Sequence, residues 1–175
     1  AYSAAAMGLF DAIGHSFATI STGGFSTHDA SMGYFNSALI DTIAIVFMVL
    51  GGINFAIHFL VWRGRAPHLF WQESEVRVYL LLTAALIALT FLTLLFAGVY
   101  TAPETALRYA SFQVVSILTS TGFLTADFSQ WPLFLPALLI AITFIGGCAG
   151  STSGGLKIIR VILLYKQGIR ELTRL

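Results

Sequence analysis

Apolar residues in this chain gather into runs separated by short stretches of Ser, Thr and Gly. Residues 3–20 read as a half-helix of mixed polarity, followed by a polar stretch to Ser37. Ala38 to Trp62 is apolar and about long enough to cross a bilayer by the rule of ~20 residues; it carries Asp41, Asn54, His58 and a Gly51-Gly52 pair. Arg63 to Arg77 is a polar connection. Val78 to Tyr100 is an uncharged apolar run, the clearest transmembrane segment. The turn Thr101-Ala102-Pro103-Glu104 opens a second half-helix over 104–118, with Thr101 and Glu104 at capping-box spacing. A second loop covers 119–130. Leu133 to Ile145 is apolar but too short to cross, and it runs into the glycine-rich stretch Gly146 to Gly155. Leu156 to Tyr165 is apolar around Lys157 and Arg160, and the tail turns basic.

The order half-helix, loop, long apolar segment recurs. Ser21-Thr22-Gly23-Gly24-Phe25-Ser26-Thr27-His28-Asp29 returns 98 residues later as Thr119-Ser120-Thr121-Gly122-Phe123-Leu124-Thr125-Ala126-Asp127. Gly24 falls over Gly122, Phe25 over Phe123 and Asp29 over Asp127. The distance from loop to glycine pair is 27 residues in the first copy (24 to 51) and 24 in the second (122 to 146), so the repeat extends beyond the loop. The chain therefore divides into 1–62, the end of one unit; 63–77, a connection; and 78–175, the next unit with an outer helix, half-helix, loop, broken inner helix and basic tail. The expected fold is an all-α membrane protein built of such repeats.

Composition agrees. Hydrophobic residues are 57% of the chain and charged ones 10%, far from a soluble domain. A net charge of +1 without a basic patch gives no sign of nucleic-acid binding, and the single Cys148 excludes an internal disulfide framework. No signal-peptide pattern is present, and the sequence reads as beginning and ending within a longer protein. Basic residues orient it: Arg63, Arg65 and Arg77 lie in the connection and Lys166, Arg170 and Arg174 in the tail, while both loops hold none. The positive-inside rule then places the loops outside and the connection and tail in the cytoplasm.

A polar, glycine-bearing loop at membrane depth is costly unless it lines a wet cavity. A dehydrated cation needs several oxygens at once, which backbone carbonyls and hydroxyls supply without trapping it. Glycine permits the positive φ that turns successive carbonyls one way, and the C-terminal end of a half-helix adds a negative dipole end. Ser21, Thr22, Gly23, Gly24 and Phe25, with Thr119, Ser120, Thr121, Gly122 and Phe123, are the expected ion-filter residues. Asp29 and Asp127 would gather cations at an outer mouth, or serve as solvated loop residues. A single such loop would be an ordinary turn between helices; two in register point to a pore.

These loops, the 98-residue repeat and the broken helix resemble the Trk/Ktr/HKT superfamily of potassium transporters, closest to its bacterial TrkH branch. The resemblance covers essentially the whole chain, as the end of a second repeat and most of a third out of four. It implies a potassium-channel-like pore in which each repeat contributes one filter strand and one key glycine, here Gly24 and Gly122. The loops read Thr-Gly-Gly and Ser-Thr-Gly where a potassium channel has Thr-Val-Gly. The resemblance also implies potassium as the transported and filter-bound ion, the cytoplasmic membrane as location, a homodimer in lipid, and a cytoplasmic nucleotide-binding regulatory subunit of TrkA-like kind. With the other repeats absent, this chain alone cannot close a pore.

Five glycines among Gly146, Gly147, Cys148, Ala149, Gly150, Ser151, Thr152, Ser153, Gly154 and Gly155 cannot hold a stable helix, each costing ~1 kcal/mol relative to alanine. A polar loop just below the second filter could block the pore and move aside; the resemblance implies such an intramembrane gate. Other readings of the stretch are a hinge that does not occlude, and a helix-packing face through the Gly-x-x-x-Gly spacings of Gly146, Gly150 and Gly154. A phosphate loop fails, because Lys157 falls one place late and no Ser or Thr follows it. Lys157 and Arg160 would sit near the cytoplasmic entrance, facing cations or snorkelling to headgroups. Asn54 and His58, spaced i, i+4, would share one helix face and hydrogen-bond between helices. No nucleophile–base pair stands out, so catalysis is not expected. Two further function classes fit the same residues: a secondary transporter with a broken-helix substrate site, and a membrane scaffold packed through small residues.

Overall fold

The computed structural model describes residues 1–64, 67–132 and 134–174. Arg65 of the connection and Leu133, the first residue of the short apolar run, lie outside them. The chain folds as α1 (Leu9–Ile20), α2 (Ala38–Gly51), α3 (Phe55–Gly64), α4 (Leu69–Gln72), α5 (Ser74–Phe96), α6 (Pro103–Leu118), α7 (Leu135–Ile142) and α8 (Ile158–Leu172). Among the described residues there is no strand, only an isolated parallel bridge between Ile145 and Leu156.

The uncharged run becomes α5, whose 23 residues span about 34 Å at ~1.5 Å per residue, enough for the ~30 Å hydrocarbon core. It begins four residues before the expected run, taking Glu75 and Arg77 from the connection into its first turn, and it ends at Phe96 rather than Tyr100; beyond Arg77 its sequence is apolar on all sides, as a helix facing both lipid and protein requires. The segment from Ala38 to Trp62, expected to cross as one helix, does not. It breaks after Gly51, and α3 sets off at 96° to α2. The paired glycines are weak helix formers. A Cβ on Gly52 would lie 2.3 Å from the Tyr79 hydroxyl of α5, so the buried Tyr79 side chain occupies the space beside the break. Asn54 and His58 consequently do not share a helix face. Asn54 Oδ1 accepts the Ala56 N–H at 2.8 Å, and His58 Nε2 donates to the Leu50 carbonyl at 2.9 Å across the bend. Both repair groups freed by the break.

The first half-helix is shorter than its 3–20 span: Tyr2–Ala5 form a 3-10 turn and α1 begins only after Gly8. The capping box of Thr101 and Glu104 does not form either. Ala102 is the N-cap, without a side-chain bond, and Pro103 takes the first helical position. Proline pre-sets φ there and needs no N–H partner, which moves the helix start by one residue.

α6 is the buried axis of the fold, with every residue from Phe112 to Thr119 inaccessible. It packs chiefly on α5 and α2. One apolar cluster, including Leu94, Val114, Leu118, Leu135 and Leu139, lies to one side of it. A second, with Met32, Met48, Phe112, Val115 and Phe123, joins it to α1 and α2. The two sequence repeats thus share a continuous interface rather than forming separate bodies. At one end of that interface Arg108 Nε of α6 donates to Asp41 Oδ2 of α2 at 2.7 Å, and Asp41 is 1% exposed.

Removing one partner of a buried ion pair leaves the other charge uncompensated. Arg108→Met is therefore expected to destabilise the protein by about 3 kcal/mol, the lower part of the range for such pairs because Arg108 is partly solvated. The thermal unfolding midpoint in detergent reads this out, and a midpoint equal to that of the wild type would refute it.

Candidate functional site

α1 and α6 each end in a loop of the same backbone form. Thr22 and Ser120 have φ of 51° and 56°, and Gly24 and Gly122 have φ of 68° and 82°. Left-handed residues therefore alternate with ordinary ones at matched positions, 98 apart. The hydrogen bonds that release the chain from the two helices match too. Gly23 N–H donates to the Ala18 carbonyl and Thr121 N–H to the Ser116 carbonyl, both at 2.8 Å. Non-glycine residues at positive φ are uncommon; finding one at the same place in both copies ties the conformation to the site rather than to chance.

The alternation leaves carbonyls free. Among the described residues, no protein donor reaches the carbonyls of Thr22, Gly23, Gly24, Thr119, Ser120, Thr121 or Gly122. The Ser and Thr hydroxyls of the loops mostly hydrogen-bond to neighbouring protein groups. Thr22 Oγ1 donates to the Thr152 carbonyl at 2.9 Å. Thr119 Oγ1 turns back to the Val115 carbonyl, and Thr121 Oγ1 lies 2.8 Å from it. Ser120 Oγ accepts the Gly154 N–H at 2.8 Å. The two loops touch: a Cβ on Gly24 would fall 1.9 Å from the Thr121 carbonyl oxygen. Gly122 turns the corresponding position toward open space.

The phenylalanines that follow differ. Phe123 is wholly buried, its carbonyl accepts the Ser116 hydroxyl at 2.7 Å, and its ring lies 5.9 Å from that of His15. Phe25 is 82% exposed. Phe123 is thus an anchor of the second loop against the first half-helix, and the run of free carbonyls stops at Gly122.

Two buried side chains outside the expected filter residues brace the loops. His15 Nε2 lies 2.9 Å from Ser26 Oγ, and Gln113 Nε2 donates to the Ala126 carbonyl at 2.7 Å. Both side chains are fully buried and stand 98 residues apart, so each half-helix holds its own descending loop by one polar residue at the same repeat position. The signal was available as a polar residue recurring at the repeat offset on otherwise apolar helices. Beyond the loops, Asp29 and Asp127 line one cleft together with Gly33, Leu124, Thr125 and Phe128. Asp29 is exposed. Asp127 accepts the Ser129 hydroxyl and N–H and the Gln130 amide, and these bonds, the hydroxyl first, hold its carboxyl below the usual carboxylate value.

The stretch from Gly146 to Gly155 is not helical. The Gly-x-x-x-Gly packing face therefore does not form, since that spacing aligns residues only on a helix. The stretch is a loop pinched at its neck, where Gly146 N–H donates to the Leu156 carbonyl and Leu156 N–H to the Phe144 carbonyl, both at 2.9 Å. Its body locks into the break of the other inner helix. Cys148 N–H donates to the Gly52 carbonyl at 2.8 Å, Thr152 N–H to the Gly51 carbonyl at 3.3 Å, and Phe55 N–H to the Gly150 carbonyl at 3.1 Å. Its far side meets the ends of both half-helix loops, through Thr22 and Ser120 as above and through Thr152 Oγ1, which donates to the Ile20 carbonyl at 2.9 Å. Cys148 is fully buried, and Ser151 Oγ donates to its carbonyl. Lys157 folds back so that its ammonium donates to the Ser153 carbonyl. Arg160 is exposed, in a groove with Leu156 and Leu163.

Known proteins share this fold. The sequence profile of the family described as "TrkH: Cation transport protein" matches residues 1–175. The Trk system potassium uptake protein TrkH of Salmonella typhimurium is 52% identical over 171 residues, covering 98% of this chain and 35% of that protein. The protein of the same name from Halomonas elongata is 50% identical over 175 residues, covering all of this chain and 36% of its own length. The crystal structure of the potassium transporter TrkH from Vibrio parahaemolyticus superposes with a TM-score of 0.96 at 50% identity, over 99% of this chain and 37% of that one. The chain spans about a third of the length of these relatives. At this identity and coverage, with the fold in common, the chain belongs to the TrkH family of cation transport proteins, a transport family rather than an enzyme family.

Proposed function

We propose that this chain forms part of the conduction path of a potassium uptake protein in the cytoplasmic membrane, crossing it several times. Ser21 to Gly24 and Thr119 to Gly122 contribute two strands of a selectivity filter, flanked by Phe25 and Phe123. Gly146 to Gly155, with Lys157, forms the gate beneath it. Asp29 and Asp127 form the outer mouth. The observation that carries the reading is the pair of loops with matched alternating φ and free carbonyls, one against the other at Gly24 and Thr121. Carbonyl dipoles facing a common space replace the hydration shell of a monovalent cation without binding it too tightly to leave. The position of Gly122, turned to open space as Gly24 is turned to Thr121, fits a ring in which each loop is complemented by the next.

The glycine-rich loop sits between the filter ends and the helix break and holds both by hydrogen bonds. A cation leaving the filter toward the connection side meets this loop, so conduction requires it to move. The full protein is read as a homodimer in lipid, regulated by a cytoplasmic TrkA-like nucleotide-binding subunit. The connection around 63–77 and α8 with its basic tail are the surfaces of this chain available to it. The carboxylates of the mouth raise the local cation concentration rather than select among cations.

Two measurements test the filter. Full-length protein in liposomes is expected to pass potassium in preference to sodium, and Gly122→Ser to bring the two fluxes closer together, because the left-handed backbone at this residue disfavours a side chain. Selectivity unchanged by the substitution would refute the role of the loop. Gly24→Ala is expected to lose flux altogether or to lower protein yield, since its Cβ overlaps the Thr121 carbonyl. Wild-type flux and wild-type selectivity in that variant would show that the two loops do not pack this way in the membrane.

A further inference from the structure

Glu75 stands in the first turn of α5, at the end of the 63–77 connection, and is half-buried. Among the described residues no Lys, Arg or His forms an ion pair with it. Its partners are backbone groups of two other elements. One carboxylate oxygen, Oε1, accepts the Ala149 N–H of the glycine-rich loop at 2.8 Å and the Ile159 N–H in the first turn of α8 at 3.0 Å. The first N–H groups of a helix have no partner within it, and the positive end of the helix dipole favours a carboxylate there. A hydrogen bond to an ionised acceptor is also roughly twice as strong as a neutral one. Glu75 is therefore more than a cap for α8. It is the side chain that joins the start of α8 to the middle of the loop, and both to the membrane-crossing α5.

Position decides what this joint does. The loop is held on its filter side by Thr22, Ser120 and Ile20, and on the break side by Gly51 and Gly52. On the connection side its neck leads directly into α8. Any displacement of α8 relative to α5 must stretch the Ile159 bond, the Ala149 bond or both. We propose that Glu75 is a positioning residue for the gate: it holds the glycine-rich loop closed and makes the loop follow α8. This inference rests on the reading of the loop as a gate and adds the residue that sets its resting position. The carboxylate does not touch the ion. Its effect is on how often the loop leaves the path.

Full-length protein with Cys148 as its sole cysteine provides two readouts. The first is potassium flux into liposomes. The second is the rate at which Cys148, fully buried while the loop is closed, reacts with a small water-soluble maleimide. Glu75→Leu keeps the bulk of the side chain and removes the acceptor. It is expected to raise both basal flux and the Cys148 reaction rate on the order of tenfold, the population shift expected from losing hydrogen bonds to a charged group. The ratio of potassium to sodium flux should stay that of the wild type, because the filter strands are unchanged. Glu75→Gln retains a weaker, neutral acceptor and is expected to move both readouts in the same direction by a smaller factor. It carries the test alone if the Leu variant does not reach the membrane. Wild-type values of flux and labelling in either variant would overturn the proposal, as would reduced flux with unchanged labelling. A failure of the filter reading is recognised separately: Gly122→Ser would then leave selectivity intact. Labelling of Cys148 still decides whether Glu75 holds the loop, whatever the protein conducts.

Discussion

A helix broken at membrane depth frees backbone N–H and C=O groups where no bulk water can satisfy them, each at a cost of several kcal/mol. This chain breaks both of its inner helices, and it answers the cost by placing one break inside the other. The carbonyls of Gly51 and Gly52, released at the end of α2, accept the N–H groups of Thr152 and Cys148 from the glycine-rich loop, and the Gly150 carbonyl accepts from Phe55 at the start of α3. Neither break would be tolerable alone. The 96° bend between α2 and α3 is therefore not an accident of a weak helix. It is the shape needed for two irregular segments to complete each other's hydrogen bonding.

That interlock holds the polar loop mainly by directional bonds. Its bonds run to backbone atoms, short hydroxyls and one carboxylate on three sides: the break of the first inner helix, the ends of the two half-helix loops, and Glu75. None of these is an apolar contact that would have to be peeled open over a large area. Cys148 is the loop's one side chain in the apolar core. The half-helix loops are different. Their conformation is fixed from behind, by His15 and Gln113 on the buried helices and by Phe123 in the core.

The repeat was legible because its residues are chemically conspicuous: Thr or Ser beside glycine, then Phe, then Asp, at a fixed offset between apolar runs. Glycine-rich composition was enough to exclude a helix over 146–155, and the absence of charge was enough to find α5. The braces were less legible. His15 and Gln113 are different residue types, and only the shared offset relates them. Thr101 and Glu104 had the spacing of a cap, yet Pro103 displaced the helix start. Asn54 and His58 had the spacing of a common face, yet the helix they would share does not exist at Asn54.

The sequence by itself determined the membrane class, the repeated half-helix and loop, and the break of the second inner helix, because these depend on local quantities: run length, charge, and the backbone freedom of glycine. Only the tertiary structure decided that the first inner helix also breaks, that the two loops meet at Gly24 and Thr121, and that Glu75 joins α5 to the loop and to α8. Those features concern pairs of residues from about 30 to about 100 positions apart, whose partners are backbone atoms. Every residue carries the same N–H and C=O, so no side-chain pattern announces which of them a distant carboxylate, hydroxyl or glycine will meet.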